Sequence, residues 1–365
     1  MIVIQKGSIY IYRVFDIAEE IDLLHAEKIL RDSRREDKFQ VPKNIDRALV
    51  IRTTPLLVNL HAQTIQTKNF SLRAEVSAKI RDYGVLSLIY QIPVLAGTDW
   101  NTLVQMAAEL ENQADIDILA KKQSEEISLH ITQAMKDPHT WDVFEDYTVY
   151  FLERCDGIAK AKDLVHAADI PSLLLAEERA RLSDQTKINI LEDIYQYEEK
   201  DLAIVEWNSA LVVEPEGKKE ILDLLEFALT HLMEMRYYDD LLDKRLAMLY
   251  DNIERSKRGG MLRANFSQLY QDASSRYIEF SEFIERVENS LKVVGDFYLA
   301  TVYRAATKRF YLSTWQQNIM RKMNILAQVS SLLQGEVHMR RSQWMEMTII
   351  ALIAFEVISA ILKLY

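Results

Sequence analysis

The last twenty-two residues read Trp344-Met-Glu-Met-Thr-Ile-Ile-Ala-Leu-Ile-Ala-Phe-Glu-Val-Ile-Ser-Ala-Ile-Leu-Lys-Leu-Tyr365, and they restrict where everything before them can lie. At 1.5 Å per residue a helix of this length reaches roughly 33 Å, about one hydrocarbon thickness of a bilayer. Ten of these residues are Ile, Leu, Phe or Val. Each is worth roughly −0.3 to −0.6 kcal/mol on the insertion scale, against roughly +2.5 to +3.5 kcal/mol for a central charge such as Glu356. Insertion is favoured by a small margin. Trp344 and Tyr365 bracket the run as interfacial aromatics do, Arg340 and Arg341 stand just before it, and only Lys363 lies near its end. That asymmetry places residues 1–343 in the cytoplasm and, in a bacterial cell, the anchor in the inner membrane. A buried helix of a soluble bundle would accommodate Glu346 and Glu356. Such a helix should alternate apolar and polar faces, however, whereas Met347 to Phe355 is apolar all round apart from Thr348. In lipid, Glu356 needs a proton or a partner helix, and a second copy of the chain is the readiest source of one.

With 365 residues, 49% of them apolar, the chain has material for a core and for two domains, or for one domain with a long appendage. Cys155 is the single cysteine, so no intramolecular disulfide forms, which fits a reducing compartment. The N-terminus, Met1-Ile-Val-Ile-Gln-Lys-Gly, has neither the pattern of a signal peptide nor that of a transit peptide. Targeting is therefore expected to rest on the C-terminal helix. The net charge of −11 is unevenly spread: residues 255–345 carry +7, residues 1–254 carry −17 and the remainder −1. A basic segment beside an anionic leaflet, holding an acidic head away from it, is the arrangement this split favours, and nucleic-acid binding by the head is disfavoured.

Along the head, residues 8–16 are aromatic and β-branched and predict a strand, followed by a helix over 21–29. The charged stretch 32–44 predicts a loop and 48–52 a second strand. Residues 70–80 and 84–93 predict a hairpin turning at Asp82-Tyr83-Gly84. Asp99 or Thr98 caps a helix ending near Asn112, and a second helix runs from 115 to 135, stopped by Asp137-Pro138. A strand over 143–153 precedes short helices at about 158–167, 171–179 and, capped by Ser183, 184–194. Residues 201–214 read as a strand pair bent at Trp207-Asn208, with the Trp in the core, closed by Pro215. The fold class is α+β, a mixed or antiparallel sheet with ferredoxin-like units, over residues 1–217.

A helical stalk is expected over 218–343, with the transmembrane anchor at 344–365. Leu225, Ala228, Leu232, Met235, Leu242, Leu246, Leu249 and Ile253 keep a three-four spacing interrupted at Asp239. After a break at Gly259-Gly260, the residues Phe266, Tyr270, Ala273, Tyr277, Phe280, Ile284, Val287, Leu291, Val294 and Tyr298 continue it without a miss. This is the pattern of a coiled-coil-like seam, and Phe280, Ile284, Val287, Leu291 and Val294 are the expected oligomer contacts. Ser313 and Gln316 form a capping box for a last helix whose seam is Ile319, Met323, Leu326, Leu333 and Val337.

Catalytic signatures are missing from the sequence: it holds no Gly-rich phosphate loop, no Gly-x-Ser-x-Gly, no His-Glu-x-x-His and no cysteine pair. One polar group is oddly placed, Glu234-Met-Arg236-Tyr-Tyr-Asp239-Asp240-Leu-Leu-Asp243, with His231 a turn earlier. Either His231, Glu234, Asp239 and Asp243 hold a divalent metal, as in half of a di-iron bundle site, or Arg236, Asp239 and Asp243 form an ion network that fixes helix register. The second reading is preferred because only one partial, reversed Glu-x-x-His set is present. Neither a resident metal nor a cofactor is expected.

Four tracts, Ala203-Ile-Val-Glu-Trp-Asn-Ser-Ala-Leu-Val-Val-Glu-Pro215, Glu234 to Asp243, Val294-Gly-Asp-Phe-Tyr-Leu-Ala-Thr-Val-Tyr-Arg304 and Arg341 to Ile358, resemble the family named for "required for meiotic nuclear division". The resemblance implies a C-terminal membrane anchor. It also implies mitochondrial relatives that oligomerise at the inner membrane and support organellar translation, with no catalytic residues to carry over. Without a presequence, this chain is expected to be a non-mitochondrial member. The reading that follows is a tail-anchored, self-associating scaffold or tether whose partners are the bilayer, further copies and an unidentified protein. The alternatives are a membrane-attached enzyme or metal protein using His231 to Asp243, and an RNA or translation tether.

Overall fold

The computed structural model describes residues 2–32, 54–178, 182–255 and 297–364, with scattered positions between 275 and 285. The expected strand at 48–52, the Gly259-Gly260 break and the seam residues Val287, Leu291 and Val294 lie outside the described residues. The chain divides into two compact units, one made of 1–236 and 285–313, the other of 237–284 and 314–365.

The first unit is mixed α and β. Its elements in order are β1 (Val3–Asp16), β2 (Glu20–Ile21), α1 (Leu23–Asp32), β3 (Leu56–Asn59), β4 (Gln63–Gln66), β5 (Ser71–Ile80), β6 (Val85–Val94), β7 (Thr98–Asp99), α2 (Trp100–Glu111) and α3 (Ala114–Ile131). There follow β8 (Met135–Lys136), β9 (Glu145–Asp156), α4 (Leu164–Ala167), α5 (Ile170–Leu174), α6 (Asp184–Ile190), β10 (Ile194–Tyr195), β11 (Leu202–Val205) and β12 (Ser209–Val213). The main sheet has the order β10-β11-β12-β9-β1-β6-β5-β3, with β4 also on β5 and β7 on the start of β1. At its centre β1 is antiparallel to both β6 and β9, and β6 is antiparallel to β5. Taken with the helices, β1-α1-β5-β6-(α2, α3)-β9 is a β-α-β-β-α-β run with spatial order β9-β1-β6-β5. Beyond it, β12 lies parallel to β9 and carries β11 and β10 as an antiparallel meander.

Helices cover both faces of this sheet, which is why β1 is buried without a break from Gly7 to Asp16. On one face Ile9 and Ile11, Leu88 and Tyr90, Tyr150 and Leu152, and Leu211 and Val213 join a core with Leu30, Leu103, Ile127 and Leu173 of the helices. Local chemistry sets the helix starts. Asp99 accepts from the Thr102 N–H at 3.0 Å and starts α2, whose buried Trp100, Leu103, Val104, Ala107 and Leu110 fall at helical spacing. The opposite face is covered by the beginning of α7 (Glu220–Arg255) and by α8 (Phe297–Arg309). Tyr147 of β9 and Phe310 meet there edge to face at 5.4 Å.

The predicted helix over 171–179 is only Ile170–Leu174, ended by Ala176 in the left-handed region at φ +53°. The last helix, α9 (Leu312–Leu364), starts before Ser313, so that residue lies within its first turn; the break from α8 is Tyr311 at φ +54°. Trp207, expected in the core, is 48% exposed at the β11–β12 turn and lies against Tyr311 with ring centroids 6.0 Å apart.

In the second unit, Leu242 and Leu249 of α7 and Ile319, Met323 and Leu326 of α9 are buried. Phe280 is buried as well, edge to face on Tyr238 of its own chain at 5.1 Å.

Candidate functional site

The most concentrated polar chemistry of the head lies where the first turns of α7 cross the sheet. Glu226, wholly buried, accepts from the Arg81 guanidinium and from the Ser87 hydroxyl at 2.6 Å. Lys79 stands 3.7 Å from the same carboxylate and 2.7 Å from Asp223. One turn along, Tyr83 and Thr230 share a 2.8 Å hydroxyl hydrogen bond, and the Arg81 guanidinium lies 5.1 Å over the Phe227 ring. Burial acts to raise the Glu226 carboxyl, but the Arg81 and Lys79 cations overcome it and hold the group below the usual carboxylate range. A fully desolvated ion pair of this kind fixes geometry more than it adds stability, and here it fixes α7 to β5 and β6.

The structure separates the His231 to Asp243 group. His231 faces the sheet side of the first unit, its Nδ1 2.8 Å from the Tyr303 hydroxyl; burial and then the Arg81 charge push the imidazole down to about 3, so it is neutral. Glu234 is buried in that unit too. Asp239 and Asp243 belong to the second unit, where both bind Lys322 of α9, at 2.7 and 2.6 Å. Arg236 pairs with Glu145 at the start of β9 rather than with either Asp. In place of the expected Arg236–Asp239–Asp243 network, Arg236 pairs with Glu145 while Asp239 and Asp243 share Lys322. Among the described residues no three His, Cys, Asp or Glu side chains converge as metal ligands.

The Glu145 pairing has a pH signature. Burial raises its carboxyl to about 7 in spite of Arg236. The folded chain then holds a proton that the unfolded chain releases near 4.5. The resulting contribution to stability is complete below that value and is lost as pH rises through about 7. The unfolding free energy of the natural chain should fall relative to that of Glu145→Gln by roughly 1–3 kcal/mol between pH 5 and 8, as read by chemical denaturation. Parallel curves for the two proteins would show that Glu145 is ionised throughout.

Cavities open on the first unit among the described residues. A groove of about 900 Å³ lies beside the start of α7, with Tyr10, Lys79, Gln91, Lys219 and Asp223 among its walls. Its cations are answered from within: Lys79 by Asp223, Lys218 by Glu216, and Lys219 by the Tyr10 ring at 5.6 Å. A smaller cleft of about 410 Å³ lies between α3 and the loop after β8, lined by Phe15, Ser124 and Trp141. There His139 Nε2 is 2.9 Å from Asp16 Oδ1 and Nδ1 is 3.2 Å from the Asp137 carbonyl, so both ring nitrogens face acceptors. Burial raises Asp16 above the usual carboxylate range despite the His139 hydrogen bond. With both nitrogens set against acceptors, this pair fastens the loop to β1 and is poorly arranged for general-base chemistry.

The other candidate surface is the end of α9. Residues Ser342–Ser359 form an eighteen-residue window of mean hydropathy 1.2, none of it buried. Trp344, Met347, Ile350, Ile353, Phe355 and Ile358 are all exposed, so the apolar side chains cover every side of the helix. A soluble chain rarely presents so large a contiguous apolar surface to water.

The chain belongs to the family of the N-terminal domain of "uncharacterized protein MJ0711", whose model matches residues 6–220, more than half of the sequence, from within β1 to just past β12. The uncharacterized protein MJ0711 of Methanocaldococcus jannaschii is 24% identical over 266 residues, 72% of this chain and 80% of its own. No solved structure matches. These findings overturn the resemblance to the meiotic-nuclear-division family, which is a different family. Three of the four tracts that suggested it lie beyond residue 220, outside the matched region, where heptad spacing and apolar composition recur without common descent. The expected link to translation rested on that resemblance alone and falls with it.

Proposed function

We propose that this protein is a single-pass, tail-anchored tether: α9 ends in a bilayer, and the acidic α+β head stands at the cytoplasmic face as a scaffold for a partner protein. The observation that carries this reading is the unburied apolar run Ser342–Ser359. Lipid satisfies such a helix on all sides while its backbone hydrogen bonds stay internal. Arg340 and Arg341 immediately before it, and the net −17 of residues 1–254, support the orientation. In this reading the buried apolar positions of α7 and α9 belong to a coiled-coil-like stalk, and the β-α-β-β-α-β run of the head is a ferredoxin-like unit.

A chain ended after Arg341 should remain in the supernatant after ultracentrifugation of lysed cells. The full chain should stay with membranes through an alkaline carbonate wash and leave them only in detergent. Equal sedimentation of the two would sink the proposal.

A further inference from the structure

We infer that Glu356 is the contact through which two copies of the anchor associate inside the bilayer, an inference that rests on the anchor reading above. α9 is helical without a break to Leu364, and Glu356 lies twelve residues past Trp344. At the helical rise it therefore sits roughly 18 Å beyond the interfacial aromatic, deep in hydrocarbon. Its neighbours Phe355, Val357 and Ile358 are exposed and apolar. The one hydroxyl of the central run, Thr348, is already satisfied by the Trp344 carbonyl at 2.8 Å. No side chain of the described residues pairs with Glu356. An ionisable group so placed is costly in lipid unless another helix supplies a hydrogen bond.

A second copy meets that need without further requirements. Two parallel helices related by a two-fold axis bring each Glu356 to the same depth as its twin, so the two carboxyl groups meet and can share a hydrogen bond. An unrelated partner would need a polar group at matching depth. The face is also shaped for contact: Ile349, Leu352, Ile353, Glu356 and Ser359 fall on one side at helical spacing. The small Ser359, one turn along from Glu356, lets a second backbone approach and offers another hydroxyl.

The test uses the full chain, labelled at its N-terminus with donor or acceptor dye and reconstituted into phosphatidylcholine vesicles that contain no other protein. Energy transfer is followed as lipid dilutes the protein. Glu356→Leu should weaken association by about 3-fold to 20-fold, while Glu356→Gln, which keeps a hydrogen-bonding group, should stay within about 3-fold of the natural chain. Glu356→Leu should also hold the vesicles at least as firmly, because it removes a polar group from lipid. Weaker self-association with undiminished membrane retention is the outcome expected. The inference is overturned if Glu356→Leu associates as tightly as the natural chain, or if the natural chain stays monomeric while bound. Loss of all three proteins from the vesicles in carbonate would instead bring down the anchor reading.

Discussion

Glu226→Ala should lower the unfolding free energy by about 3–5 kcal/mol, one of the two largest effects expected from a single substitution in the head. The carboxylate answers Arg81, itself only 2% exposed, and accepts from Ser87. Removing it leaves a guanidinium in the interior with no counterion in contact, and the nearby Lys79 adds a like charge. The double variant Arg81→Met/Glu226→Leu separates this effect from simple loss of volume. By replacing both charges with apolar groups of similar size it should recover most of the stability. Chemical denaturation of the three proteins at neutral pH checks both statements. A Glu226→Ala loss below about 1 kcal/mol would mean that water reaches Arg81.

Gly84→Ala should be comparably damaging, by roughly 3 kcal/mol or more, for a different reason. Gly84 lies at φ +93°, and a Cβ there would stand 1.6 Å from the Ala18 carbonyl oxygen. The contact cannot relax cheaply, because the Gly84 carbonyl also accepts from the Ile17 N–H at 3.0 Å and so joins the β5–β6 turn to the end of β1. Gly97 is the internal control: its φ is +91°, yet nothing lies within 4 Å of the added atom. Gly97→Ala should show only the backbone term, about 1 kcal/mol. Equal thermal shifts for the two variants would show that the close approach to Ala18 is unimportant.

What the sequence conveys well is local. The β5–β6 hairpin is legible because alternation and a turn glycine occur together. The start of α2 is legible because Asp99 is its cap, and the terminal apolar run because length and composition suffice. Strand β3 was not legible, since Leu56-Leu-Val-Asn59 is too short to show a period; pairing with β5 defines it. The N-terminal extension of β1 was hidden by Gln5, Lys6 and Gly7, which break the apolar pattern where the register with β9 shifts. An aromatic in a strand pair is usually core, but Trp207 occupies the turn between β11 and β12 and is exposed.

The head's polar contacts were beyond sequence reasoning for a related cause. Arg81 and Glu226 are 145 residues apart, and Asp16 and His139 are 123 apart. The available signal was a charge out of place: Arg81 closing the apolar alternation of β5, and Asp16 ending the apolar run of β1. Helical spacing did bring His231, Glu234, Asp239 and Asp243 to neighbouring turns, but it said nothing of what faces them. The division between compact units at Arg236 and Tyr237 runs through the group.

The most direct test of membrane anchoring is a nitroxide scan from Ser342 to Ser359 in reconstituted full-length protein carrying Cys155→Ser, read by collisional relaxation with oxygen and with a water-soluble nickel chelate. A spanning helix predicts that oxygen accessibility rises to a maximum near the middle of the run and falls again, with little dependence on helix face. A 3.6-residue oscillation between oxygen-rich and nickel-rich positions would contradict it, placing the helix along a surface or against protein and removing the basis for a tail-anchored tether.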